Sequence, residues 1–126
     1  MSNDKFPIRN DKKYDIHDRI FEFVIDVIEL TKVLPKTPQN LMVINQVMRS
    51  VTSMGANDQE ADGASSKKDF LHCYTIVRKE SKETVFWLRL LERTNAHLKP
   101  KIDPIVQEGS EIVAIVSTII NNTNRS

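Results

Sequence analysis

The chain has 126 residues, of which 40% are hydrophobic and 28% are charged, a composition typical of a globular protein rather than a disordered one. Its length suits one core, and we predict a single domain over residues 1–126. No apolar run approaches the roughly 20 residues of a membrane span, and the first residues lack the apolar stretch of a secretory signal. These absences predict a soluble, cytoplasmic protein without a membrane partner.

Three glycines and five prolines leave few tight turns, which favours long helices. The first predicted helix covers about 15–34, because apolar residues alternate at spacings of four and three from Ile16 to Leu34 and Pro35 then ends the pattern. The second covers about 39–61, and its predicted inner face carries Leu41, Ile44, Met48 and Val51. After Gly55 we expect residues 57–63 to fray or bend.

The third predicted helix, about 66–96, has the longest regular seam: Phe70, Tyr74, Val77, Ser81, Thr84, Leu88 and Leu91. Its single tryptophan, Trp87, is expected to be buried against another helix or subunit. The fourth, about 103–121, is expected to begin with Pro104 in its first turn. We predict flexible ends at 1–13 and 122–126. Together these elements predict an all-α fold, an antiparallel up-and-down four-helix bundle.

Residues with catalytic potential are few and scattered. His17, His72 and His97 fall on different segments without the spacing of a metal motif. Cys73 adjoins His72, but their side chains diverge by about 100° around a helix. No glycine-rich phosphate loop is present. We therefore predict no enzyme activity, catalytic residue, metal, cofactor or small-molecule substrate.

Charge is distributed unevenly along the chain. Residues 15–63 carry 4 basic and 8 acidic groups, whereas residues 64–101 carry 9 and 4. The basic residues of the third helix form a candidate nucleic-acid-binding set: Lys67, Lys68, Arg78, Lys79, Lys82, Arg89 and Arg93. Glutamates are interleaved with them, so a solvated or intersubunit charge face is the alternative interpretation.

Three passages carry a family resemblance: Tyr14 to Pro35, Gln46 to Glu60, and Ser66-Lys67-Lys68-Asp69-Phe70 with Ser81-Lys82-Glu83 and Trp87-Leu88 beyond. They resemble the bacterial four-helix-bundle proteins encoded in intervening sequences of large-subunit ribosomal RNA genes. The accessory variability proteins of diversity-generating retroelements are similar. One departure is the stretch Thr52 to Ala61, which lacks the proline usual in this family.

The resemblance implies a bundle that assembles as a ring, often a homopentamer, without catalytic residues. In the retroelement relatives the ring binds a reverse transcriptase and nucleic acid. We therefore predict a non-enzymatic, ring-forming scaffold or binding protein. The alternative is an accessory protein that uses the basic face of the third helix to bind structured RNA or DNA, together with a nucleic-acid-processing partner. Asn57 and Glu60 are left open as pore or subunit-contact residues.

Overall fold

A computed structural model describes residues 15–126, which form four α-helices. Their bounds are Ile16–Val33 (α1), Pro38–Asp62 (α2), Lys67–Thr94 (α3) and Lys99–Arg125 (α4), with a 3-10 turn at Ala96–Leu98. The predicted flexible segment 1–13 lies outside the described residues. No helix within 15–126 combines the length and hydropathy needed to cross a bilayer.

Each helix packs beside the next in the chain, and α4 closes the bundle against α1. The pairing is antiparallel: on α2 and α3, for example, Asn40 meets Asn95 at one end while Asp58 meets Tyr74 at the other. Short connections of this kind place sequential helices side by side. The predicted all-α, up-and-down four-helix bundle is confirmed.

The sequence caps three helix starts with short polar side chains. Asp15, Thr37 and Ser66 each accept a hydrogen bond from the backbone N–H three residues later. Such caps satisfy amides that have no partner inside the helix. They explain why α1, α2 and α3 begin within a residue of their predicted starts.

The core is built from one stripe of each helix, and its apolar members are Ile20, Phe23, Val27, Leu30, Leu34, Val47, Val51, Met54, Ala61, Tyr74, Val77, Leu88, Leu91, Ile102, Ile112, Val116 and Ile120. The predicted stripes of α1 and α3 are largely this core. The predicted α2 face was wrong in part: Leu41 is 44% exposed and Val47 is fully buried. Helix α2 also runs without interruption to Asp62, so the expected bend at 57–63 is absent.

Helix α4 begins four residues earlier than predicted and extends further. Pro100 occupies the first turn, where a missing N–H costs nothing, and Pro104 lies inside the helix. The early start follows from Ile102, which is completely buried and anchors the first turn in the bundle. At the other end, residues 122–125 are helical rather than loose, and Lys67 donates from its ammonium group to the carbonyl of Ser126.

Candidate functional site

The candidate basic residues lie on the outer face of α3, opposite its core stripe. At 100° per residue, all but Lys67 fall within an arc of about 100°. Lys67, Lys68, Lys79, Lys82, Arg89 and Arg93 are exposed, and Arg78 is half-buried. We call Lys79, Lys82, Arg89 and Arg93, which surround Phe86, the α3 basic face. Within residues 15–126, these four form no hydrogen bond or ion pair.

The interleaved glutamates do not share this face. Glu80 and Glu83 point toward α2, where both contact the guanidinium of Arg49. Glu92 points toward α4, where its carboxylate lies 3.3 Å from the ammonium nitrogen of Lys99. Their side chains are only 9%, 28% and 13% exposed, respectively. The acids therefore serve helix packing, while the bases face solvent.

Two aromatic side chains occur together within this region of α3. Phe86 is 56% exposed, and its ring meets that of Trp87 edge to face, with centroids 4.9 Å apart. The Trp87 indole N–H donates to the Glu83 carboxylate over 3.1 Å. Trp87 is half-buried against the core, less enclosed than expected from the sequence. Phe86 is therefore an exposed aromatic ring with unpaired cations beside it.

A buried polar cluster joins α1, α2 and α3 near one end of the bundle. The Asp58 carboxylate is 1% exposed and accepts hydrogen bonds from the Tyr74 hydroxyl, at 2.7 Å, and from the His17 ring, at 2.9 Å. The second ring nitrogen of His17 lies 3.6 Å from Asp62. No spacing of residues in the sequence predicted this cluster. Its only sequence signal was a tyrosine at a seam position, where a buried hydroxyl needs a partner.

The cluster shifts the pKa values of two of its members. Burial lowers the pKa of His17, but the hydrogen bond to Asp58 and the nearby charges of Asp58, Asp62 and Asp15 outweigh this, so the pKa is raised. Burial and the hydrogen bond to Asp58 raise the pKa of Tyr74. The protonated forms of both groups are therefore favoured, as a carboxylate holding two donors requires.

Helix α1 presents apolar side chains on two different flanks of the bundle. On the α2 side, Phe21 is 62% exposed and borders a groove lined by Val24, Thr52, Gly55 and Ala56. We call this the α2-side surface. On the α4 side, Val33 is 51% exposed and lines a second groove. The residues of this α4-side surface are Asp26, Glu29, Leu30, Val33, Lys101, Pro104, Ile105 and Glu108.

The α4-side surface is held in place by a charged contact between α1 and α4. The Arg19 guanidinium donates to both carboxylate oxygens of Glu108, at 2.7 and 3.0 Å, and to Glu111 at 2.9 Å. These hydrogen bonds outweigh the burial of Arg19 and raise its pKa. A fork of this type fixes the relative orientation of two helices as well as their separation.

The residues with catalytic potential remain apart. His72 is exposed, Cys73 is a half-buried free thiol, and His97 lies in the turn before α4. Within the part of the chain described, no group of three or more histidine, cysteine, aspartate or glutamate side chains could hold a metal ion. Asn57 donates to the backbone carbonyl of Ser53 on its own helix, and Glu60 is exposed.

Fold and surfaces define the class: a four-helix bundle with a basic outer helix face and exposed apolar surfaces on its first helix. The model of the 23S rRNA-intervening sequence protein family matches residues 12–118. The chain belongs to this family, and the resemblance found in the sequence is confirmed. The similarity to retroelement accessory proteins stays a prediction.

A solved structure gives a second comparison. The chain is similar to a crystal structure of a protein of unknown function from the S23 ribosomal protein family of Bacteroides thetaiotaomicron. The two are 34% identical, the match covers 84% of this chain and 98% of the other, and the TM-score is 0.76. No curated protein matches the chain.

Proposed function

We propose that this protein is a non-enzymatic helical scaffold that assembles head to tail into a ring, with a homopentamer as the expected form. The observation that carries the proposal is the placement of exposed apolar residues on two separate flanks of α1, with Phe21 on one and Val33 on the other. A ring needs two different surfaces on each subunit, because the contact is heterologous. The subunit number is taken from the family resemblance.

The residues that line the two grooves support this assignment of the contact surfaces. Around Phe21, the α2-side groove is largely apolar or small, so packing there would remove apolar area from water at about 25 cal/mol per Å². The α4-side groove combines Leu30 and Ile105 with Glu29 and Lys101, which gives an apolar centre and a charged rim. Interfaces commonly have this composition.

The test uses two charge-introducing variants, Phe21→Glu and Val33→Glu, with Ala114→Glu at an exposed α4 position as the control. We expect wild-type protein and the control to give one oligomeric mass by native mass spectrometry or light scattering. Each variant alone should be monomeric. A mixture of the two should form dimers, because one intact α2-side surface and one intact α4-side surface remain.

Three outcomes would reject the ring. They are a wild-type monomer at micromolar concentration, variants that assemble like wild type, and a mixture that stays monomeric while each variant is folded by circular dichroism. A symmetric contact, in which one surface meets itself, would instead leave one of the two variants assembled like wild type.

A second function is favoured by the α3 basic face: binding of nucleic acid. The sequence alone left the interleaved glutamates as an objection, and their turn toward Arg49 and Lys99 removes it. Unpaired exposed lysines and arginines can displace counterions from phosphates. The two functions are compatible, because the basic face and the α1 surfaces lie on different helices.

The test of this second function is a titration with RNA and duplex DNA over a range of salt concentrations. Binding should weaken as salt rises, and changing Lys79, Lys82, Arg89 and Arg93 together to alanine should abolish most of it. Binding that is absent at low salt, or that does not respond to salt, would reject it.

A further inference from the structure

We propose that the α3 basic face binds single-stranded nucleic acid, with Phe86 as a platform on which an unpaired base stacks. This inference rests on the nucleic-acid function proposed above and specifies its substrate. It begins from the position of Phe86, which has 56% of its surface exposed. An aromatic ring left in water at the centre of a basic surface is what stacking recognition of single strands uses.

Neighbouring side chains restrict the orientation of the Phe86 ring before any base binds. Trp87 packs edge to face against it with an interplanar angle of 70°, and Trp87 is itself fixed by the hydrogen bond to Glu83. Little side-chain freedom would therefore be lost when a base stacks on the open face of Phe86. Leu90, one turn further along and 37% exposed, extends the apolar area beside the ring.

Cations surround the ring at helical spacing. Lys82 precedes Phe86 by four residues and Arg89 follows it by three, which places both next to it on the helix surface. Lys79 and Arg93 lie one turn further out in each direction. Phosphates on either side of a stacked base would meet these exposed, unpaired groups, and no acidic side chain of α3 lies within their arc.

Other occupants fit this face less well. A second copy of the same face would bring four positive charges against four, which like-charge repulsion disfavours. A duplex keeps its bases stacked inside, so it would contact the cations but leave Phe86 uncovered. An anionic membrane would need a broad apolar face to insert, whereas the apolar stripe of α3 is buried in the core and its exposed large apolar side chains are Phe86 and Leu90.

The experiment measures fluorescence anisotropy of labelled oligouridylate, oligothymidylate and a DNA duplex of equal length. We expect both single strands to bind more tightly than the duplex. Phe86→Ala should weaken single-strand binding roughly tenfold, the usual effect of removing one stacked base, and should leave the salt dependence unchanged because no phosphate contact is lost. Phe86→Trp should retain the binding.

Two controls separate stacking from charge. Met42→Ala removes an exposed apolar side chain from α2, outside the basic face and both α1 surfaces, and should not alter single-strand binding. Arg89→Ala with Arg93→Ala should weaken single strands and duplex alike and should reduce the salt dependence. The fluorescence emission of Trp87, the single tryptophan of the chain, should also change when single strands are added and should stay unchanged when duplex is added.

The failures are distinguishable. Salt-sensitive binding of duplex as tight as that of single strands, or single-strand binding unaffected by Phe86→Ala, would overturn the stacking platform while leaving the nucleic-acid function in place. Absence of binding to all three oligonucleotides at low salt would overturn both. Phe86-dependent binding to vesicles of anionic lipid without binding to oligonucleotides would also overturn both, in favour of a membrane surface.

Discussion

The hydroxyl of Tyr74 on α3 donates a 2.7 Å hydrogen bond to the carboxylate of Asp58 on α2, and both side chains are almost completely buried. His17 brings α1 to the same carboxylate. Three helices are therefore joined by a single acidic group. A charge is tolerated in the interior only when it is paired and hydrogen-bonded. Removing a partner of Asp58 should therefore lower the free energy of unfolding.

Asp58→Ala should lower the free energy of unfolding by about 3 kcal/mol, because the buried Tyr74 hydroxyl and the half-buried His17 ring lose their acceptor. Tyr74→Phe should lower it by about 2 kcal/mol, the usual contribution of a hydrogen bond to a charged group. Urea denaturation measures both. The double variant should be less destabilised than the sum of the single changes, because the two residues act as a unit.

Asp62→Ala is the matched control, since its side chain is 67% exposed and should contribute within about 0.5 kcal/mol. Additive effects of the Asp58 and Tyr74 changes would contradict the proposed coupling.

The pH dependence of His17 follows from the same cluster. Its pKa is raised in the folded state, so the folded protein holds the proton more tightly than the unfolded chain. The resulting stabilisation is fully present below the unfolded pKa of about 6.5 and is lost as pH rises through the higher folded value. The stability difference between wild type and His17→Gln should therefore shrink as pH increases above neutrality.

Nuclear magnetic resonance of the His17 ring provides the direct measurement. The pKa of the ring should lie above 6.5, the ordinary value for histidine, and Asp62→Asn should move the titration to lower pH by removing one nearby charge. A pKa below the ordinary histidine value, or a stability difference that grows with pH, would show that burial outweighs the carboxylates.

The sequence predicted α3 better than α2, and the reason is where buried polar groups find their partners. On α3, Ser81 and Thr84 donate to backbone carbonyls four residues earlier on the same helix. They therefore need no partner from another helix to lie in an apolar stripe. The four-three spacing of the α3 stripe could for this reason be recognised in the sequence. The predicted stripe matched the core for this reason.

On α2, the inner face includes Asn40 and Asp58, which are buried because other elements supply their partners. Asp58, for example, accepts hydrogen bonds from His17 of α1 and from Tyr74 of α3. A pattern based on hydrophobicity assigns such polar residues to the solvent-facing side. The predicted inner face of α2 was therefore rotated toward Leu41. The basic face of α3 was predictable from spacing, whereas the orientation of its glutamates depended on Arg49 and Lys99 from neighbouring helices.

A pair of asparagines at the other end of the bundle supports a third prediction. The amide of Asn40 donates to the Asn95 side-chain oxygen at 2.9 Å, and Asn95 donates back to Asn40 at 3.0 Å. Asn40 also donates to the carbonyl of Pro35, and Asn95 to that of Leu91. The pair thus joins the α1–α2 connection to the end of α3.

Asn95→Ala should cost about 2 kcal/mol of unfolding free energy, because a buried donor and a buried acceptor of Asn40 lose their partners. Asn95→Asp should cost more, since it places a buried carboxylate against the Asn40 oxygen and the Leu91 carbonyl, the two acceptors to which Asn95 donates. Guanidinium denaturation measures both, with the exposed Asn45→Ala as control. Equal stability of Asn95→Ala and wild type would contradict a structural role for the pair.

Gly109 on α4 allows α4 to approach α1 and α3 closely. A Cβ atom at this position would lie 2.8 Å from a methyl carbon of Val85 and 3.0 Å from the Phe23 ring. Alanine normally gains about 1 kcal/mol over glycine within a helix. Here overpacking should cost about 1–3 kcal/mol, so Gly109→Ala should leave the protein less stable or, at best, unchanged.

Two further variants separate crowding from backbone effects. Gly63→Ala should be neutral or stabilising by up to about 1 kcal/mol, because Gly63 has a negative φ and the nearest atom to an added Cβ lies at 3.9 Å. Adding Val85→Ala to Gly109→Ala should recover part of the loss by removing the closest methyl. Thermal denaturation that shows Gly109→Ala to be clearly more stable than wild type would mean that α4 can shift away from Val85 and Phe23 at little cost, and that this glycine does not set the distance between the helices.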